Sequence, residues 1–323
     1  VGYGGYFTDE HIPLDDAFRR AARLGYDAAC IFAHRPIGFP LDIDCERRRR
    51  LRGLADDLDL ELAAVVCCTN FMEGNHVLVY PQEKEILYVR EAIRLAQDMQ
   101  IGIVRVMAAF LGYFQNPYAL LGYGNPAFGS RTRPVSQGRD WLEAWHQVRR
   151  GLREVALFAQ DAGVTLALQT HPEITCNNEE TLEMIAEVDV PSLKVGLDLP
   201  LFESQEPEFV RQTVRSMKGL MVYSHSISIA AKRTVGGNSF GWDEVVPGSP
   251  KDPCQWRVFL ETCQEIGYHG YLSHEQCSPM IVKGHKIAGL DHVDTCYQEA
   301  LGYLKGIALD LNYYTGRKTG TRR

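Results

Sequence analysis

The chain contains no run of about eighteen apolar residues, so no segment is expected to cross a bilayer as a helix. Its first residues show no basic segment followed by an apolar one, and no secretory leader is expected there. Nine cysteines form no C-x-x-C pair and no even framework. That excludes a disulfide scaffold and suits reduced thiols in a cytoplasmic protein, most of them packed in the core. Positive charge is not in excess: 34 Lys and Arg stand against 41 Asp and Glu, a net charge of −7. The basic field typical of nucleic-acid binders is therefore missing. One basic cluster, Arg47 to Arg50 with Arg52 beyond it, falls in a helical pattern and reads as a solvated helix face. No G-x-G-x-x-G follows the first strand-like run, which argues against a dinucleotide-binding fold.

What is present is an alternation. The 323 residues are 45% hydrophobic and 23% charged, ordinary for a globular chain with one large core. Strand-like runs are expected at 2–7, 27–32, 60–67, 102–107, 164–168, 193–197, 220–224 and 268–273. Helical patterns fall between and after them, at 14–24, 44–60, 81–100, 141–162, 177–188, 206–218, 252–266 and 292–312. Asn177 or Asn178 is placed to cap the fifth helix ahead of Glu179 and Glu180. Eight strands alternating with eight helices predict a single (β/α)8 barrel over residues 1–323. Long loops are expected after the fourth strand, 109–137, and after the seventh, 226–251. Loops of that length usually carry function.

The polar residues that end the strands carry the chemistry. The run Val164-Thr165-Leu166-Ala167-Leu168 leads into Gln169 and, two residues on, His171. On an extended chain those two point to one side. Three later runs end in Asp198, His225 and Glu275. In a parallel barrel such positions line the C-terminal mouth, where active sites lie. Three oxygens and one nitrogen suit a divalent cation of intermediate hardness, Mn²⁺ first, with Mg²⁺, Co²⁺ or Zn²⁺ as alternatives. Each residue also has a plainer reading. Asp198 ahead of Leu199-Pro200 fits a turn, His225 a hydrogen-bonded core residue, and His274-Glu275 a surface ion pair. The pattern is stronger than its parts because all four follow apolar strands in successive βα units.

The chain resembles the xylose-isomerase-like barrel superfamily, also called the sugar phosphate isomerase/epimerase family. The likeness runs from about Gly2 to Leu311. It rests on Ala22-Arg23-Leu24-Gly25-Tyr26-Asp27, Ala162-Gly163-Val164-Thr165-Leu166-Ala167-Leu168, the Asp198 strand, His225, and Gly267-Tyr268-His269-Gly270-Tyr271 before Glu275. The resemblance implies a metal held by Gln169, Asp198, His225 and Glu275, and a small sugar or glycoside as substrate. Three departures stand out. Family members carry Glu where this chain has Gln169, so a proton swap between two glutamates is not available. Leu201 stands where a histidine is common. His171 is an added candidate base.

One base and one metal suit one-sided proton abstraction. The chain resembles in this respect the larger subunit of C-glycoside deglycosidases, which acts beside a small second subunit. The first reading is therefore a metal-dependent lyase on an oxidised sugar or glycoside, with His171 and Glu275 as catalytic groups. His34, Arg105, Lys232 and Arg233 are candidates for binding substrate oxygens. The alternatives are a sugar or ketose isomerase or epimerase with Glu275 as main proton carrier, and an accessory barrel with a weakened metal site. A phosphodiesterase on DNA lacks the extra ligands and the basic face it would need. A small second subunit or a homo-oligomer is compatible with these readings; nucleic acid and membrane are not expected as partners.

Overall fold

The computed structural model describes residues 1–3, 12–72, 82–109, 141–171, 174–235, 238–276, 281–282 and 286–313. Eight α-helices lie among them: α1 (Leu14–Arg23), α2 (Cys45–Asp57), α3 (Glu83–Asp98), α4 (Trp141–Asp161), α5 (Asn178–Val188), α6 (Pro207–Ser216), α7 (Trp256–Glu265) and α8 (Leu290–Asp310). They alternate with β1 (Ala28–Phe32), β2 (Glu61–Val66), β3 (Ile103–Met107), β4 (Thr165–Gln169), β5 (Leu193–Asp198), β6 (Met221–Val235) and β8 (Leu272–Gln276). A further strand, β7 (Asn238–Val245), folds back on β6. Two short pieces, β9 (Ile281–Val282) and β10 (Lys286–Ile287), pair antiparallel before α8.

The strands β1 to β6 pair in parallel in chain order, and β8 pairs in parallel with β6. The ring closes through the first residues. The Cys30 N–H donates to Val1 O at 2.8 Å, and the Gly2 N–H donates to His274 O at 3.1 Å. Residues 1–3 thus stand where the first strand of a barrel belongs, between β1 and β8; the rest of that expected strand, 4–7, lies outside the described residues.

The strand sequences explain why this sheet buries both faces. On β4, Leu166 and Leu168 join the large outer core under the helices, while Ala167 faces a small inner cluster with Cys30, Phe32, Ala64, Val66 and Tyr223. The same alternation on β5 sends Val195 and Leu197 outward. An unbroken apolar run is what a strand buried on both faces requires. The helices supply the outer layer with Phe18, Leu51, Val89, Ile93, Leu152 and Phe259, none of which is exposed. Burial of each large side chain contributes about 1.5–3 kcal/mol.

Local signals set the helix ends. Asn177 accepts the Glu180 N–H at 2.8 Å, and Glu180 in turn accepts the Cys176 N–H at 2.8 Å, a reciprocal cap on α5. Asp44 caps α2 by accepting from the Arg47 N–H at 2.7 Å. α7 begins at Trp256 rather than near 252, because Asp252 accepts from Gly248 N–H, Cys254 N–H and Trp256 Nε1–H and holds that segment as a turn.

Two expectations change. The segment after the seventh expected strand is not a plain loop. β6 runs on to Val235 and returns as β7, an antiparallel hairpin with Ala230 opposite Glu244. The Arg47–Arg50 cluster is not uniformly solvated either. Arg48 is buried, donating to Ile43 O, Pro40 O and the Asp98 carboxylate. Of the expected loop at 109–137, all but Ala109 lies outside the described residues. No described helix is long and apolar enough to cross a membrane. The eight described cysteines are all free thiols.

Candidate active site at the strand ends

Four neighbouring strands bring the polar residues together. In register, Gln169 stands beside Gly196, Asp198 beside His225, and Glu275 beside Ile227. All four side chains are buried, Gln169, Asp198, His225 and Glu275 being 5% exposed or less. Gln169 Nε2 donates to Asp198 Oδ2 at 2.7 Å. The His225 ring stands between the two carboxylates, with Nδ1 3.4 Å from Asp198 Oδ2 and Nε2 3.3 Å from Glu275 Oε2. On the other side Arg105 Nη2 lies 3.9 Å from Glu275 Oε2, while its Nη1 donates to Cys67 O at 3.2 Å. The plainer reading of His274-Glu275 as a surface pair therefore fails, since both are inside; Asp198 does precede a turn at Leu199–Leu201, but its side chain makes no capping hydrogen bond there and is buried with the cluster.

The electrostatics favour a positive charge here. Burial raises the Asp198 carboxyl above its ordinary range, and the nearby His225 only partly offsets this. Burial by itself would lower the His225 imidazole, yet Glu275 and Asp198 outweigh it and hold it at about 9. A pocket that keeps an imidazole protonated in its interior is one where a cation can replace that proton.

The donor set fits a divalent ion by a second, geometric observation. Among the described residues, Gln169 Oε1 and Asp198 Oδ1 are buried without a hydrogen-bond partner. Unsatisfied buried oxygens are costly unless something binds them. Asp198, His225, Glu275 and the neutral oxygen of Gln169 are the groups able to hold a metal.

His171 is buried, and its N–H donates to Thr175 O at 3.0 Å in an isolated bridge. Regular strand ends at Gln169, and the His171 backbone continues in this bridge. His34 lies after β1, its Nδ1 3.1 Å from Arg35 O, and burial lowers its pKa. It is near enough to Glu275 and Arg105 to feel both charges. Lys232 and Arg233 belong to the outer part of β6, where the backbone is described and the side chains are not.

Sequence reasoning missed two supports. Tyr223, two residues before His225, packs against it with ring centroids 5.9 Å apart and fills the lumen below the site. His274 is the other: Ser226 Oγ and Ser228 Oγ lie 2.8 and 3.0 Å from its two ring nitrogens, which ties β8 to β6 beside Glu275. The i, i+2 alternation on the His225 strand was the available signal for Tyr223. The Ser-x-Ser pair after His225 gave no such signal without the register of β8.

Comparison with known proteins agrees with this architecture. Residues 18–306 match the family model described as the xylose isomerase-like TIM barrel. The fructoselysine 3-epimerase of Shigella flexneri is 24% identical over 282 residues, covering 84% of this chain and 88% of that protein. The D-psicose 3-epimerase of Clostridium cellulolyticum, solved with D-tagatose, superposes with a TM-score of 0.67 at 16% identity, over 95% of this chain and 98% of that one. A 3-keto-D-glucoside 4-epimerase from E. coli superposes with a TM-score of 0.65 at 14% identity, with the same coverage. With the family model spanning most of its length, the chain belongs to the xylose isomerase-like TIM-barrel family.

Proposed function

We propose that the protein is a divalent-metal-dependent enzyme that moves a proton on the carbon beside the carbonyl of a keto sugar, with epimerisation or isomerisation as the net result. The buried cluster of Gln169, Asp198, His225 and Glu275 at the strand ends carries this reading. The epimerase relatives favour epimerisation over the lyase reading as its outcome.

Asp198, His225 and Glu275 would hold the ion, with Gln169 as a neutral fourth ligand. Mn²⁺ is the first choice, and Mg²⁺, Co²⁺ or Zn²⁺ are alternatives. When bound, the ion supplies Lewis-acid polarisation of the substrate carbonyl. Glu275 is the carboxylate able to take and return the proton. Arg105, whose guanidinium stands 3.9 Å from Glu275, is the cation beside that carboxylate. His34, Lys232 and Arg233 are proposed to bind substrate oxygens together with Arg105.

Gln169 favours one second reading. An amide cannot accept a proton, so the opposite face of the substrate carbon has no glutamate. Either His171 serves that face, or the reaction stops at one-sided abstraction and ends in β-elimination. The second outcome is a lyase acting on a keto glycoside. A small partner subunit belongs to that reading, so its co-purification would favour it.

The test is incubation of metal-loaded protein in D₂O with a panel of ketoses and 3-keto glycosides. Deuterium entering beside the carbonyl with the carbon skeleton retained supports epimerisation. Release of an aglycone or enone supports elimination. Glu275→Gln should remove either activity while leaving the fold intact. Normal turnover in that variant, or neither exchange nor release across the panel, would overturn the proposal.

A further inference from the structure

A second cluster of metal-ligating side chains lies outside the barrel lumen. His292 and Cys296 are four residues apart near the start of α8, so they share one helix face. Glu244 of β7 meets that face, its Oε2 2.5 Å from His292 Nε2. One ligand atom from each of the three lies within 4.8 Å of the other two. The cluster shares no residue with the barrel site.

We propose that Glu244, His292 and Cys296 form a second metal site, with Zn²⁺ as its ion. The donors are a thiolate, an imidazole and a carboxylate. That mixture matches zinc and is poor for Mg²⁺ or Ca²⁺, which take oxygen. Zinc bonds of about 2.0–2.3 Å set tetrahedral ligand atoms roughly 3.3–3.8 Å apart. The Glu244–His292 contact, at 2.5 Å, would open by about an ångström to reach that spacing, and the three ligand atoms already lie within 4.8 Å of one another. The fourth position falls to solvent, since Glu244 is exposed.

Burial grades across the cluster. Cys296 sits at the dry end, packed with Val246, Ala288 and Ala300. Burial and the Glu244 charge raise its thiol pKa, so without metal it stays a thiol. Binding balances as Cys296–SH plus Zn²⁺ giving Cys296–S–Zn⁺ plus one proton released to solvent. The thiol thus points its sulfur at a polar pair while its flanks rest on apolar neighbours.

The site would join two parts of the catalytic mouth. β7 is the return strand of the hairpin that grows out of β6, the strand of His225. α8 is fastened to β8, the strand of Glu275, through Tyr297. The Tyr297 hydroxyl accepts the Gln276 N–H at 3.3 Å and donates to Gly2 O at 2.7 Å. A zinc at Glu244, His292 and Cys296 would brace the hairpin against the helix that backs β8.

The test uses the full chain stripped of metal. Zn²⁺ is titrated by calorimetry, with metal content after dialysis as a check, and Co²⁺ is titrated by absorption. The wild type should show a thiolate-to-cobalt charge-transfer band, and His292→Ala and Cys296→Ser should each lose it together with one equivalent of Zn²⁺. Asp198→Asn should keep the band, which separates this site from the barrel cluster: the band persists even if the barrel binds nothing. His292 lies on a part-exposed helix face, so its alanine variant keeps the fold and stands as the control for Cys296→Ser. Absence of the band in the wild type, or its persistence with unchanged stoichiometry in His292→Ala, overturns the proposal.

Discussion

Placing a glutamate at position 169 should make the protein depend on a cation for its stability. Gln169 Nε2 now donates to Asp198 Oδ2 at 2.7 Å, and both side chains are buried. Gln169→Glu replaces that attraction with two carboxylates at the same spacing. At an effective dielectric of about 20, two unit charges that close repel by about 6 kcal/mol. The folded protein can avoid this by taking up one proton to share between the pair. Protonating a carboxyl of ordinary pKa at pH 7 costs about 3.7 kcal/mol, which caps the penalty. The shared proton also restores a hydrogen bond, so the metal-free variant should be about 3–4 kcal/mol less stable than wild type at pH 7. The pair's folded pKa is raised, so its penalty grows as pH rises above the unfolded value. At pH 5 the penalty should shrink to about 1 kcal/mol. A bound divalent ion cancels the repulsion, so Mn²⁺ should restore most of the loss and stabilise the variant more than the wild type. Urea unfolding in chelator and in excess Mn²⁺, at pH 5 and pH 7, measures all four numbers. If Gln169→Glu in chelator is as stable as wild type at pH 7, or responds to Mn²⁺ no more than wild type does, the facing of Gln169 and Asp198 is wrong.

Three further outcomes follow from the packing. Burial holds the His274 imidazole down at about 3 from an ordinary 6.5. Its contribution to stability is therefore complete above pH 6.5 and is lost towards pH 3, because the unfolded chain takes the proton first. The slope from this residue is about 1.4 kcal/mol per pH unit. His274 ring signals in NMR should stay flat from neutral pH down through 5 (a midpoint near 6.5 would refute the burial argument). Arg48→Met should cost about 3 kcal/mol in urea unfolding, because it orphans Ile43 O and Pro40 O and frees Asp98; a loss under about 0.5 kcal/mol would restore the reading of a solvated arginine. Asp294 accepts from Tyr3 at 2.6 Å and from Arg20 at 2.7 Å, tying the ring-closing residues to α1 and α8. Asp294→Ala should lower stability by about 2–4 kcal/mol and raise amide exchange at Gly2 and Cys30, which hydrogen-bond across the closure. Unchanged exchange there would count against that tie.

Much of the barrel was legible in the chain order. Apolar runs such as 164–168 and 193–197 lie between amphipathic helical patterns, and a strand buried on both faces needs that composition. The candidate site was legible for the same reason: period two on a strand assigns Gln169 to the face of Ala167 and Asp198 to that of Gly196. Asn177 was readable as a cap because its chemistry is local.

Contacts between distant parts of the chain were not readable. Nothing in Arg47-Arg48-Arg49-Arg50 distinguishes the second arginine; its burial depends on where Ile43 O, Pro40 O and Asp98 end up. The continuation of β6 into a hairpin depends on pairing across the sheet edge, which propensity does not encode. Glu244 lies 48 positions before His292, so no spacing rule links them. By itself the sequence determined the alternation of strand and helix and which side chains face the lumen, because both follow from periodicities of a few residues. Only the tertiary structure decided that His225 stands between two buried carboxylates and that Gln169 turns its amide towards Asp198, because those relations exist only once separate strands lie in register.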